Sequence, residues 1–269
     1  MIEPISNATL RLERADGGSL HYAVAGEGDA VVFIHGFGLD FRMWDPQWPT
    51  FSARYRAIRY DLRGYGGSSL PEGPYSHVDD LLALIDHLDA RSVHLVGLSL
   101  GGRVALRMAA QEPEAVRSLT LADPAMDGHA WSGDWLQRWR RMTEAATRGD
   151  LRDAKRLWRE HILFEPARKL PEVAAALDAL IDRYSGWHLG HRDPGTAPDR
   201  PVETLSRISI PTLVMIGEHD LPDFQAIARR LAAEMPNAAL RVIAGSGHMS
   251  NLEAPQVFNE LMLKHLQGN

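Results

Sequence analysis

The chain has 269 residues, 45% hydrophobic and 24% charged, with a formal net charge of −6. Acids and bases are interleaved, so no concentrated basic surface is expected and nucleic acid is excluded as a main partner. With no cysteine at all, a disulfide scaffold, a thiolate zinc site and a cysteine nucleophile are excluded too. No apolar stretch is long enough to span a bilayer, and Met1 to Arg14 lacks a basic segment followed by an apolar run. The expectation is a soluble cytoplasmic protein without a secretory signal.

In chain order, Thr9 to Glu13 and Ser19 to Ala25 read as strands joined by an Asp16-Gly17-Gly18 turn. Val31 to Ile34 is a short apolar run suited to a strand buried on both faces. Tyr55 to Tyr60 is a further strand. His77 to Leu88 carries apolar residues at helical spacing. Ser92 to Val96 is a strand, Leu100 to Ala110 a helix rich in small residues, and Val116 to Leu121 a strand. This alternation implies a parallel sheet covered by helices.

The rhythm breaks at Asp123-Pro124 and resumes near Ile210-Pro211. Between them, Trp131, Trp135 and Trp139 recur every four residues and are expected on one helix face. Leu151 to Trp158 and Val173 to Tyr184 mark two more helices, and Asp193 to Pro201 reads as a returning loop. Residues 124–205 are therefore read as a helical lid, with 1–123 and 206–269 forming the core. Thr212 to Ile216 and Ala239 to Ile243 complete eight strands. Phe224 to Glu234 and Pro255 to Leu266 are the last helices.

The sharpest chemical signal is Gly97-Leu98-Ser99-Leu100-Gly101, a G-x-S-x-G sequence placed where a buried strand meets a helix. There a serine hydroxyl projects from a tight turn, flanking glycines accommodate the crowded backbone, and the N–H of Leu100 lies beside the nucleophile. A hydroxyl needs a base, and the base an orienting acid. His248, in the Gly245-Ser246-Gly247-His248 loop after the last strand, is the candidate base. Asp220, in Gly217-Glu218-His219-Asp220 after the preceding strand, is the candidate acid. Glu218 and Asp223 stand close by, and Asp123, at the end of the strand after the nucleophile helix, is the other position from which an acid reaches the histidine. The loop His35-Gly36-Phe37-Gly38 offers the N–H of Phe37 as a second oxyanion donor, with His35 ordering the loop. Trp131, Trp135 and Met249 are candidate substrate contacts. The tryptophan stripe has a plainer reading as the packing seam between lid and core. His188 and His191 are two histidines in a loop with no third ligand in register, so no metal site is expected.

These segments, together with Asp61-Leu62-Arg63-Gly64-Tyr65-Gly66-Gly67-Ser68, resemble the α/β-hydrolase superfamily over nearly the whole chain. The resemblance implies an α/β-hydrolase fold with a mostly parallel eight-stranded sheet and a lid inserted after the sixth strand. It also implies a serine hydrolase that cleaves esters through an acyl-enzyme. Haloalkane dehalogenases and epoxide hydrolases carry a carboxylate where this chain has Ser99. Hydrolases of meta-cleavage products usually carry Trp after the histidine, where this chain has Met249. The run His248 to Glu253 looks most like the 3-oxoadipate enol-lactonase branch and related esterases. No cofactor is implied, and the expected partner is a small-molecule substrate. Carbon–carbon hydrolysis or a lyase reaction with the same triad, and a low-turnover ligand receptor, are the alternative functions. Nothing in the sequence sets the oligomeric state.

Overall fold

A computed structural model describes residues 9–191 and 204–269; the expected loop Asp193 to Pro201 lies outside them, as do the first eight residues of the N-terminal segment. Eight strands form one sheet: β1 (Thr9–Glu13), β2 (Ser19–Ala25), β3 (Ala30–Ile34), β4 (Arg56–Tyr60), β5 (Val93–Leu98), β6 (Val116–Ala122), β7 (Thr212–Gly217) and β8 (Ala238–Ile243). Their order is β1-β2-β4-β3-β5-β6-β7-β8. Only the β1–β2 and β2–β4 pairings are antiparallel, so the predicted fold class is the observed one.

Eleven α-helices accompany the sheet among the described residues: α1 (Trp48–Ser52), α2 (His77–His87), α3 (Leu100–Gln111), α4 (Gly133–Thr147), α5 (Leu151–Arg159), α6 (Glu165–Arg168), α7 (Pro171–Arg183), α8 (Trp187–Gly190), α9 (Pro222–Glu234), α10 (Ser250–Glu253) and α11 (Pro255–Gln267). None of the described helices is long and apolar enough to cross a membrane. The central strands β3, β5 and β7 are buried along their whole length, as expected of parallel strands covered on both faces. Helices α4 to α8 lie between β6 and β7 in the chain.

Two readings of this insert need correction. Trp131 is not on the helix of Trp135 and Trp139, because Ser132 caps α4 by accepting the N–H of Trp135 and the helix begins at Gly133. A serine hydroxyl there satisfies a first-turn donor, and the helix starts after it. Trp131 still stacks on Trp135, with ring centroids 4.7 Å apart. The His188-Leu189-Gly190 stretch is part of the short helix α8 rather than a loop.

The loops at the carboxyl ends of the strands are fixed by buried polar groups. His35 donates from Nδ1 to the Gly36 carbonyl and accepts the Leu62 N–H at Nε2, 2.8 and 2.9 Å. Asp61 accepts the N–H groups of Phe41 and Gly67, each at 2.8 Å, and pairs with His21 at 2.7 Å. The segment Asp61 to Ser68 is thus a hydrogen-bonded brace between β2 and the β3 loop.

Buried histidines give the fold an acid liability. His94, whose Nδ1 lies 2.7 Å from the Ser118 hydroxyl, and His161 are both lowered to about 4, first by burial and then by nearby arginines. In the unfolded chain they take a proton near pH 6.5. Between 6.5 and about 4 the unfolded state therefore binds more protons, and stability falls as pH drops. The raised carboxyls of Asp80 and Glu253 act in the opposite sense, so the informative quantity is a difference. The drop in urea midpoint from pH 7 to pH 5 is expected to shrink in a His94→Gln, His161→Gln double variant. An unchanged drop would contradict this account.

Candidate active site

Ser99 is the last residue before α3 and sits at φ 55°, ψ −111°, a backbone conformation that L-residues rarely adopt. Its N–H is held by the Ala122 carbonyl at 3.0 Å, and its own carbonyl accepts from the N–H groups of Arg103 and Ala125, each at 3.1 Å. Two flanking glycines make the turn sterically possible. A Cβ on Gly97 would lie 2.2 Å from the Gly101 carbonyl oxygen, and one on Gly101 would lie 2.1 Å from that of Ile34. Since these obstacles are backbone, they cannot swing aside. Gly101→Ala is expected to cost about 3 kcal/mol or more of stability, measurable as a lowered urea midpoint; an unchanged midpoint would show that the turn tolerates a side chain.

Asp220 follows β7 and His248 follows β8. The Asp220 Oδ2 lies 2.8 Å from His248 Nδ1, and both side chains are almost wholly buried. The turns carrying them pack backbone to backbone, because a Cβ on Gly217 would lie 2.1 Å from the Gly247 carbonyl oxygen. Of the other acids weighed from sequence, Glu218 accepts the Gly245 N–H at 2.9 Å. Asp223 is engaged by His129 and by the Ser132 hydroxyl and N–H. Asp123 is fully buried. Its two oxygens accept from the Gly217 N–H at 2.8 Å and the Ser250 hydroxyl at 2.5 Å. Burial, and then the charge of Asp220, push the Asp123 carboxyl well above the usual carboxylate range.

One residue that the sequence reading gave no role is Glu253. Its carboxylate accepts the N–H of Gly247 at 2.7 Å and of Met249 at 3.0 Å, so it grips the backbone on both sides of His248. The available signal is an acid five residues after the histidine, where the chain folds back through α10.

Ser99 and His248 share a cavity of about 370 Å³ with Phe37, Leu100 and Met249. Phe37, two residues beyond His35, is the hinge of an aromatic cluster, its ring edge-on to Trp139 at 4.9 Å and Trp158 at 5.5 Å. Trp131, Trp135 and Trp139 all face this cavity. Trp131 and Trp135 also pack on Phe224, at 5.3 and 5.4 Å, and Phe224 packs on the His248 ring at 4.3 Å. The tryptophans are therefore both cavity wall and seam. Three cavity-lining residues with polar atoms, His77, Arg103 and Trp158, were given no role from sequence. Among the described residues, His77 Nδ1 and Trp158 Nε1 have no hydrogen-bond partner. His188 stacks on Tyr65 at 4.2 Å and His191 on Trp187 at 5.2 Å. No group of three or more His, Asp or Glu side chains among the described residues is placed to hold a metal ion.

The chain belongs to the α/β-hydrolase fold family, whose sequence profile matches residues 29–255. It is 32% identical over 250 residues to 3-oxoadipate enol-lactonase 2 of Acinetobacter baylyi, with 90% of each chain covered. Among solved structures, an esterase from Thermogutta terrifontis superposes with a TM-score of 0.82 at 26% identity, covering 97% of this chain and 98% of that one. The enol-lactonase from Burkholderia xenovorans superposes with a TM-score of 0.79 at 25% identity, covering 96% and 100%.

Proposed function

We propose that this chain, a carboxylic ester hydrolase, cleaves small esters or lactones through an acyl-enzyme on Ser99. The observation that carries the reading is the buried Asp220–His248 pair in the wall of the cavity that also holds the strained Ser99. His248 takes the Ser99 proton as the hydroxyl oxygen attacks the substrate carbonyl. Asp220, bonded to Nδ1, keeps the other ring nitrogen for proton transfer and stabilises the imidazolium. The N–H groups of Phe37 and Leu100 receive the oxyanion, each such donor contributing about 3 kcal/mol to the transition state. His248 returns the proton to the leaving alcohol. A water that it then deprotonates attacks the acyl carbon, and the acid departs as Ser99 regains its proton. The relatives that are named enol-lactonase or esterase support both bond types, and the aromatic wall suits an apolar substrate body.

The test is a panel of short aryl esters and lactones, followed by titration with an aryl phosphonate that forms a stable adduct with activated serines. Turnover is expected, and its loss should track one phosphonyl group on the peptide carrying Ser99. A label on another residue, or turnover that survives complete labelling, would overturn the assignment. Absence of turnover in the folded protein would shift weight to the receptor reading, and turnover only on a carbon–carbon substrate to the other alternative.

A further inference from the structure

The lid carries a second cleft, of about 190 Å³, lined by Arg138, Arg141, Arg156, Leu157, Glu160 and His161. It shares none of these residues with the catalytic cavity. Arg138 and Arg141 stand three apart on α4 and so occupy one helix face; α5, which carries Arg156 and Leu157, packs against that helix. The donors of the two α4 arginines are not used up within the protein. Arg138 commits only Nε, to Asp134 at 2.8 Å. Arg141 makes no side-chain hydrogen bond or ion pair among the described residues. Arg156 is the committed member, paired with Asp153 and with Glu160, each at 2.6 Å. Glu160 is the one carboxylate among the described lining residues, and this bond offsets its charge.

His161 completes the lining and is only 6% exposed. Its ring packs on Trp135 at 5.2 Å and on Trp158 at 5.6 Å. Its Nδ1 accepts the Leu163 N–H at 3.1 Å. A backbone N–H can only donate, so Nδ1 is unprotonated and the proton of the neutral ring sits on Nε2. Burial, and then Arg138, keep the ring neutral at pH 7. Nε2–H has no partner among the described residues, yet it is not one of the atoms sealed off by burial. An open N–H donor beside two under-used guanidinium groups lacks only an anion. A carboxylate has two oxygens for these three groups, whereas a phosphate has enough to face each of them. The cleft is also larger than a phosphate, and Leu157 gives it an apolar side.

We propose that this cleft binds a tetrahedral oxyanion, either free phosphate or the phosphate of a small organic monoester, held by Arg138, Arg141 and His161 Nε2–H. The inference does not depend on the proposed hydrolysis.

Calorimetric titration with inorganic phosphate, glycerol 3-phosphate and acetate tests it, in 0.15 M chloride, where exposed charges are screened beyond about 8 Å. Phosphate is expected to bind saturably, one per chain, and acetate at least about tenfold more weakly. Arg141→Gln should weaken phosphate binding by about tenfold or more, the size of one charge-assisted hydrogen bond. His161→Phe, which keeps a ring against Trp135 and Trp158, should weaken it by about fivefold or more. Arg140→Gln removes an exposed arginine of α4 that lies outside the lining, and should leave binding unchanged. In ¹⁵N-histidine spectra of the wild type, which need no variant, the His161 Nε2 resonance should move with phosphate. Tighter binding of the monoester assigns an organic phosphate as the occupant, and equal binding a free oxyanion; either supports the inference. No saturable phosphate binding, acetate bound as tightly as phosphate, or an unmoved His161 resonance overturns it. So does a loss in Arg140→Gln as large as that in Arg141→Gln, which would show a diffuse attraction to the lid.

Discussion

Replacing Ser99 by alanine is expected to lower kcat by about four to six orders of magnitude with the fold intact. The fold should survive because the turn is held through backbone atoms of residue 99, its N–H to Ala122 and its carbonyl from Arg103 and Ala125, and alanine keeps all three bonds. What alanine removes is the hydroxyl oxygen on which the proposed mechanism builds the acyl-enzyme. The backbone adds a second arm to the test. At φ 55°, ψ −111° any Cβ is strained, by about 1–3 kcal/mol, whereas glycine adopts this region freely. Ser99→Gly should therefore be as inactive as Ser99→Ala but more stable than it, by about 1 kcal/mol or more in urea or thermal unfolding. A serine retained where glycine fits better is one kept for its hydroxyl. Hydrolysis undiminished in either variant would refute the nucleophile, and Ser99→Gly less stable than Ser99→Ala would refute the strain.

The sheet was legible because buried parallel strands write themselves as apolar runs: Val31 to Ile34 and Thr212 to Ile216 lie within one residue of the observed β3 and β7. The turn at Ser99 was legible for a different reason. Gly97 and Gly101 leave a steric signature, since each faces a carbonyl oxygen that excludes a Cβ. The insert was harder to read. Its periodicity continued back through Trp131, but a capping hydrogen bond at Ser132 set the helix start. Short elements such as α1 and α8 have too few residues for a period to show. Glu253 and His77 were missed because their roles arise from three-dimensional neighbours. One carboxylate reaches two backbone N–H groups of a preceding loop, and one helix-opening histidine meets a cavity built largely by distant segments.

For the acid of the proposed triad the sequence left four carboxylates, Asp220, Glu218, Asp223 and Asp123, and of these Asp220 and Asp123 are expected to separate sharply on mutation. Asp220→Asn should reduce kcat by about 10⁴, because the amide no longer stabilises the imidazolium and presents a donor to Nδ1, favouring the wrong tautomer. Asp123 offers no rescue. Both its oxygens are committed, one to the Gly217 N–H that begins the Asp220 turn and one to the Ser250 hydroxyl two residues beyond His248. Reaching the imidazole would break both bonds. Asp123→Asn should accordingly be mild, lowering kcat by about tenfold or less. Asparagine mimics the neutral acid that burial and the charge of Asp220 favour at this position. Its carbonyl still accepts the Gly217 N–H, and the Ser250 hydroxyl turns to accept from the new amide. Asp123→Ala removes both bonds at once and should destabilise the protein by about 2–4 kcal/mol, with activity falling as the two loops lose their common anchor. Steady-state kinetics and urea unfolding on the three variants decide the matter. If Asp123→Asn loses as much kcat as Asp220→Asn while remaining folded, the orienting acid is Asp123 and the triad must be redrawn.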